Sequence, residues 1–164
     1  HRQRQTDATW HYEMVDLGYN YRLTDIQCAL GISQLKKLPR WLERRKEIAR
    51  RYDDAFKGSA VTPLKTYPYV SNAYHLYVVR LNTRALGIDR TTAFVRLREA
   101  GIGVNVHYIP VHLHPYYQSK VGTKPGMCPI AEAAYEQIIS LPMFGSMGDE
   151  EIERVIKAVL SLER

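Results

Sequence analysis

The stretch Leu17-Gly-Tyr-Asn-Tyr-Arg-Leu-Thr-Asp-Ile-Gln27 decides how the chain is read. It is a polar, aromatic-rich loop that runs straight into a helix start. Gly18 admits backbone conformations that a side chain forbids. Thr24 and Gln27 have the spacing of a capping box: the threonine hydroxyl accepts from the Gln27 backbone N–H, and the glutamine side chain reaches back. A helix begun in this way holds the preceding loop at a fixed angle. Asn20 and Arg22, set among the rings of Tyr19 and Tyr21, are then presented to something outside the loop. The competing reading is a turn and a cap with no ligand, since asparagine and glycine are ordinary turn residues.

The 164 residues make one domain by length, with enough apolar sequence for a core. The hydrophobic share of 45% and charged share of 24% belong to a globular protein. No apolar run approaches a membrane span, and no signal-peptide pattern is present. With only Cys28 and Cys128 there is no disulfide framework, so a cytoplasmic protein is expected. The formal charge of +6 favours anionic partners. The chain starts at His1 with polar, unpatterned residues, and reads as the continuation of something upstream.

Residues 1–16 have no clean period and read as an extended arm with anchors at Trp10 and Tyr12. Ile26, Ala29, Leu30 and Ser33 keep a helical stripe until Leu38-Pro39, where proline is expected to end or kink the helix. A second helical pattern places Trp41, Ile48, Tyr52 and Ala55 beside Leu42, Ala49 and Phe56, with Gly58 as its stop. Its other face carries Arg44, Lys46, Arg50 and Arg51 among Glu43 and Glu47. A solvated face with pairs such as Glu43–Glu47–Arg51 explains that better than a nucleic-acid surface.

Residues 59–72 read as loop, Tyr74–Leu81 as the best strand, and Asp89 as the cap of a helix that stops at Ala100-Gly101. Gly103–Tyr108 reads as a second strand, with Val104, Val106 and Tyr108 on one face and Asn105 and His107 on the other. Residues 110–128 read as a long loop, and Pro129 opens a helix. Ser140–Phe144 is a short edge strand, and Asp149, Glu150 and Glu151 open a final helix striped by Ile152, Val155, Ile156, Val159 and Leu160. The expected fold is α+β, a short sheet packed with helices and preceded by a long connecting helix.

His107, His112 and His114 lie close to Tyr108, Tyr116 and Tyr117. Substrate contact and loop packing are the two readings, because imidazole and phenol groups hydrogen-bond hydroxyls and phosphates. A metal site is disfavoured: the spacing fits no standard zinc pattern, and no cysteine or carboxylate is near in sequence. There is no Ser-His-Asp signature and no glycine-rich phosphate loop. Gly101-Ile-Gly103 is a helix stop before a strand.

Gly18–Gly31, Ser71–Arg80, Gly101–His112, Ala131-Glu132 with Tyr135, and Ile139–Phe144 together resemble the nucleotide-sugar aminotransferases, the DegT/DnrJ/StrS group of fold-type-I pyridoxal phosphate enzymes. The subgroup most resembled aminates a UDP-4-keto-6-deoxy-N-acetylhexosamine on the way to pseudaminic acid. The resemblance implies pyridoxal 5'-phosphate as cofactor, glutamate as amino donor, a nucleotide-sugar substrate and a homodimer. It implies that Asn20 reaches the cofactor phosphate of the partner subunit and that Arg22, His107 and Tyr108 lie near the substrate; His112 and Tyr117 are weaker candidates.

The family's Schiff-base lysine, its acidic partner for the pyridine nitrogen and the glycine-rich segment that follows have no counterpart here. The resemblance is therefore to a C-terminal part. Residues 1–23 would be an arm and active-site loop from the large domain, and residues 24–164 the connecting helices and small domain. The isolated chain is expected to be inactive, with the apolar faces of the 25–38 helix and of the arm at Trp10 uncovered. The rival expectations are a stand-alone, non-catalytic binding remnant and a small basic nucleic-acid-binding domain.

Overall fold

The computed structural model describes residues 2–4, 12–14 and 16–163. The chain divides into two compact units, residues 1–37 and 38–164. In the first, β1 (Arg2–Arg4) pairs antiparallel with β2 (Tyr12–Met14), with Gln3 opposite Glu13. Trp10 and the side chain of Tyr12, the expected anchors, lie outside what is described. A stretch without regular secondary structure, residues 17–24, leads to α1 (Asp25–Ala55). The capping box forms as its residues require: Thr24 N donates to Gln27 Oε1 at 2.9 Å and Gln27 N to Thr24 Oγ1 at 3.3 Å.

Proline does not end this helix. Helix α1 runs for 31 residues with Pro39 inside it. Pro39 removes one donor from the ladder, but Gln34, Leu35, Lys36, Lys37 and Leu38 before it are strong helix formers. Ile26, Leu30, Leu35 and Leu38 on the first part of α1 are exposed, Ile26 by 82% and Leu30 by 60%.

In the second unit, β3 (Val61–Pro63), β4 (Tyr77–Leu81) and β5 (Ile138–Leu141) form an antiparallel sheet in that order. Val61 faces Leu81 across one pairing, and Val79 faces Ile139 across the other. Strand β4 alternates as a half-buried strand should: Tyr77, Val79 and Leu81 are buried, while Arg80 is exposed. Against the sheet's buried side chains pack Ile48, Ala49, Tyr52 and Phe56 of α1, Ala93 and Leu97 of α3 (Arg90–Glu99), and Ile152, Val155, Ile156 and Val159 of α6 (Asp149–Leu160). A one-turn helix α2 (Thr83–Leu86) joins β4 to α3, whose cap is Asp89, accepting from Thr92 N at 2.7 Å.

Three further expectations need correction. Residues 59–72 contain β3, a three-residue edge strand that ends in Pro63, too short for a pattern to reveal. Gly103–Tyr108 is not a strand; a single bridge, Asn105 to Ser140, is all that forms. Val104 is buried, but the alternation fails after it, because Tyr108 is 73% exposed. Residues 110–128 are not an unstructured loop. They hold a 3-10 turn (Val111–Leu113) and α4 (Pro115–Val121), with Pro115 at its first turn, before α5 (Pro129–Tyr135).

The basic face of α1 is not simply solvated. Arg44 donates to Asp149 Oδ1 at 2.7 Å and to the Met147 carbonyl at 2.8 Å, and pairs with Glu47 at 2.8 Å. Arg51 reaches Asp149 and Glu153, each at 2.7 Å. These links tie α1 to the start of α6, where Asp149 also meets the positive end of the helix dipole. Beside them Gly145 seats Trp41: a Cβ there would lie 2.6 Å from the indole Cδ1. The phenol of Tyr52 donates to the Pro142 carbonyl at 3.0 Å, and that of Tyr77 to Asp53 at 2.6 Å. Burial first, then the Asp53 carboxylate, pushes the Tyr77 phenol well above its usual range.

Candidate functional site

Asn20 and Arg22 stand exposed on the stretch before α1, in the first unit. The rings of Tyr19 and Tyr21, on either side of Asn20 in sequence, stack at 5.1 Å with planes 10° apart. Neither the Asn20 nor the Arg22 side chain has a hydrogen-bond partner among the described residues. An amide and a guanidinium without internal partners, held by a capped helix, are suited to an acceptor-rich group such as a phosphate.

His107 and Tyr108 belong to the second unit. Ser140 of β5, only 4% exposed, organises the second pair. Its backbone exchanges two bonds with Asn105, N to O at 2.7 Å and the reverse at 3.2 Å. Its hydroxyl lies 2.8 Å from His107 Nδ1. One ring nitrogen is thus engaged inward, which leaves Nε2 for a ligand. Tyr108 follows a cis peptide bond and sets its ring edge-on to His107 at 4.6 Å between centroids. The structure therefore brings together an imidazole braced by a buried hydroxyl and an exposed phenol.

His112 is used differently. Its Nε2 meets Glu132 Oε1 at 2.7 Å, and both side chains are largely covered. This carboxylate is distant in sequence and is brought to His112 by α5. Two hydrogen bonds, from His112 first and the Gly126 N–H next, hold the Glu132 carboxyl below its usual range. Tyr117 sets its ring edge-on to Tyr116 at 5.4 Å. Among the described residues no group of three or more His, Cys, Asp or Glu side chains is placed to hold a metal ion. None of the lysines is buried. Ser140 and Glu132 stand in the sequence only as members of the motifs Ile139–Phe144 and Ala131-Glu132, and their contacts with His107 and His112 have no local signal.

The model of the DegT/DnrJ/EryC1/StrS aminotransferase family matches residues 1–160. The chain belongs to this family. Among its relatives is the spore coat polysaccharide biosynthesis protein SpsC of Bacillus subtilis, 40% identical over 157 residues, which are 94% of this chain and 40% of SpsC. Spr1654 of Streptococcus pneumoniae, assigned as a sugar aminotransferase, is similar in its apo-form with a TM-score of 0.81 and 35% identity, over 97% of this chain and 40% of that one. Structures of it in PLP-form and PMP-form are also similar. Helicobacter pylori PseC, an aminotransferase involved in the biosynthesis of pseudoaminic acid, is similar with a TM-score of 0.79 and 31% identity, over 98% of this chain and 42% of PseC. The chain thus spans about 40% of the length of the curated relatives it matches. Its α+β architecture is that of part of a fold-type-I aminotransferase of this family.

Proposed function

We propose that the chain supplies the C-terminal part of a pyridoxal phosphate-dependent aminotransferase that moves an amino group from glutamate to a 4-keto-6-deoxy nucleotide sugar. The observation that carries this is the family match across residues 1–160, with the side chains of Asn20 and Arg22 displayed just before a capped helix and without hydrogen-bond partners among the described residues. When bound, the cofactor supplies the electron sink for amino transfer. Asn20 would donate its amide to the cofactor phosphate of a partner subunit, and Arg22 would neutralise phosphate charge near the sugar nucleotide. His107, braced by Ser140, and Tyr108 would hydrogen-bond the substrate. These residues suit the binding of such groups, while the family's Schiff-base lysine has no counterpart among them.

The similarity to PseC favours the UDP-linked substrate of pseudaminic acid synthesis, and a homodimer in the cytoplasm completes the reading. A second copy would cover the exposed apolar side chains of residues 17–38. Arginines committed to Asp149 and Glu153 weaken the nucleic-acid alternative.

The deciding experiment is the intact mass and cofactor absorbance of the protein purified from its native source, with a N20A variant alongside. A mass more than twice 19.0 kDa, bound pyridoxal phosphate and a cofactor Kd raised about tenfold by N20A are expected, roughly the loss of one charge-assisted hydrogen bond. A mass near 19.0 kDa with no cofactor would return the lead to a non-catalytic binding remnant. The 164-residue chain by itself is expected to transfer no amino group.

A further inference from the structure

We propose that Glu132 is a positioning residue whose carboxylate clamps both ends of the 111–128 excursion and so fixes the segment that leaves the substrate-side pair His107 and Tyr108. This rests on the functional reading above. The excursion departs from Tyr108 through Ile109 and Pro110, makes its 3-10 turn and α4, and returns at Cys128. Glu132 grips the outgoing end through His112 Nε2 at 2.7 Å. It grips the returning end through the Gly126 N–H, at 2.9 Å to Oε1 and 3.0 Å to Oε2, and the Cys128 N–H at 3.3 Å. A second tie crosses the same gap, from Thr123 Oγ1 to the His112 carbonyl at 2.7 Å.

A carboxylate suits this task because it only accepts, and its two oxygens serve several donors at once. The Gly126 and Cys128 bonds alone would amount to local support for the start of α5. The His112 bond is of another kind, because it spans 20 positions in sequence and joins α5 to the start of the excursion. The excursion has little else to hold it. Val111, Tyr116, Val121 and Met127 are all exposed, so burial contributes little to its order. With both ends pinned, His107 and Tyr108 are fixed from one side by Ser140 and from the other by the clamp.

The test uses the protein as its source makes it, comparing wild type with E132A, E132Q and T123V at neutral pH. In E132A, amide exchange across residues 111–128 is expected to quicken at least about tenfold, with β4 and β5 changed less than about twofold. E132Q keeps an oxygen for the Gly126 N–H and should recover most of that protection; T123V should fall between. The KM for a UDP-linked 4-keto-6-deoxy-N-acetylhexosamine should rise about tenfold in E132A with kcat changed less than about threefold, and E132Q should restore most of it.

Unchanged exchange in E132A overturns the clamp. Quickened exchange with an unchanged KM overturns the positioning role. If E132A also loosens β4 and β5, the milder E132Q and T123V decide by the same two readouts. A wild-type protein that turns over no nucleotide ketosugar defeats the functional reading instead, and exchange alone then decides the clamp.

Discussion

Asp149 accepts from two guanidinium groups at once, Arg44 and Arg51, each at 2.7 Å. The Arg44 hydrogen bond, with the charge of Arg51 beside it, holds this carboxyl below its ordinary value of 3.8. A depressed carboxyl contributes stability that is fully present above its unfolded pKa and is lost as the pH falls through the folded one. Urea midpoints measured from pH 6 down to pH 2 should therefore fall below about pH 4, and D149N should flatten that fall while lowering the midpoint at neutral pH. The carboxylate is exposed, so the effect is read as a slope and is screened by salt. The same scale explains what was missed at the site. Nothing in the local sequence pairs Glu132 with His112 or Ser140 with His107, because each pair is made by the chain's return and not by spacing.

At the scale of elements, the helices that carried chemical punctuation were legible: Thr24 with Gln27, Asp89, Pro129 and the acids at 149–151 each stand at a helix start. Helix α4 had comparable marks in Pro115 and Gly122, hidden among histidines and tyrosines that drew attention as ligands. The false strand at 103–108 shows the opposite failure. Alternation of valines was present, but a strand needs a neighbour along its length, and β5 offers residue 105 only one bridge. Pro39 does not end α1, since one lost hydrogen bond is a small part of a 31-residue helix. It still has a cost. P39A should stabilise α1 by about 1–3 kcal/mol, read as slower amide exchange across residues 35–43. Unchanged exchange there would mean that the turn at Pro39 is held by something other than its own ladder.

At the scale of the whole molecule, the buried core draws on residues between Ile48 and Leu162, while Leu17, Tyr19, Tyr21, Leu23, Ile26, Leu30 and Leu35 are exposed. The expected uncovered face of the 25–38 helix is thus present, and single solvent-facing leucines would not account for so many. Sedimentation of the purified chain should reveal self-association, and Ile26→Glu with Leu30→Glu, four apart on one helical face, should weaken it at least about tenfold, since each buried aliphatic side chain contributes about 1.5–3 kcal/mol. A wild-type chain that sediments as a monomer at high concentration would remove this surface from the dimer reading.

The sheet order carries a consequence for biosynthesis. Strand β4 finishes at Leu81, but its partner β5 starts only at Ile138. On the ribosome β4 must wait, paired on one side with β3, until β5 and the buried face of α6 have left the exit tunnel. Its open edge, with Tyr77, Val79 and Leu81 uncovered, is then a template for the wrong neighbour. Slow translation of the codons for residues 82–137 would prolong that interval, and it is there that a nascent-chain chaperone has most to protect.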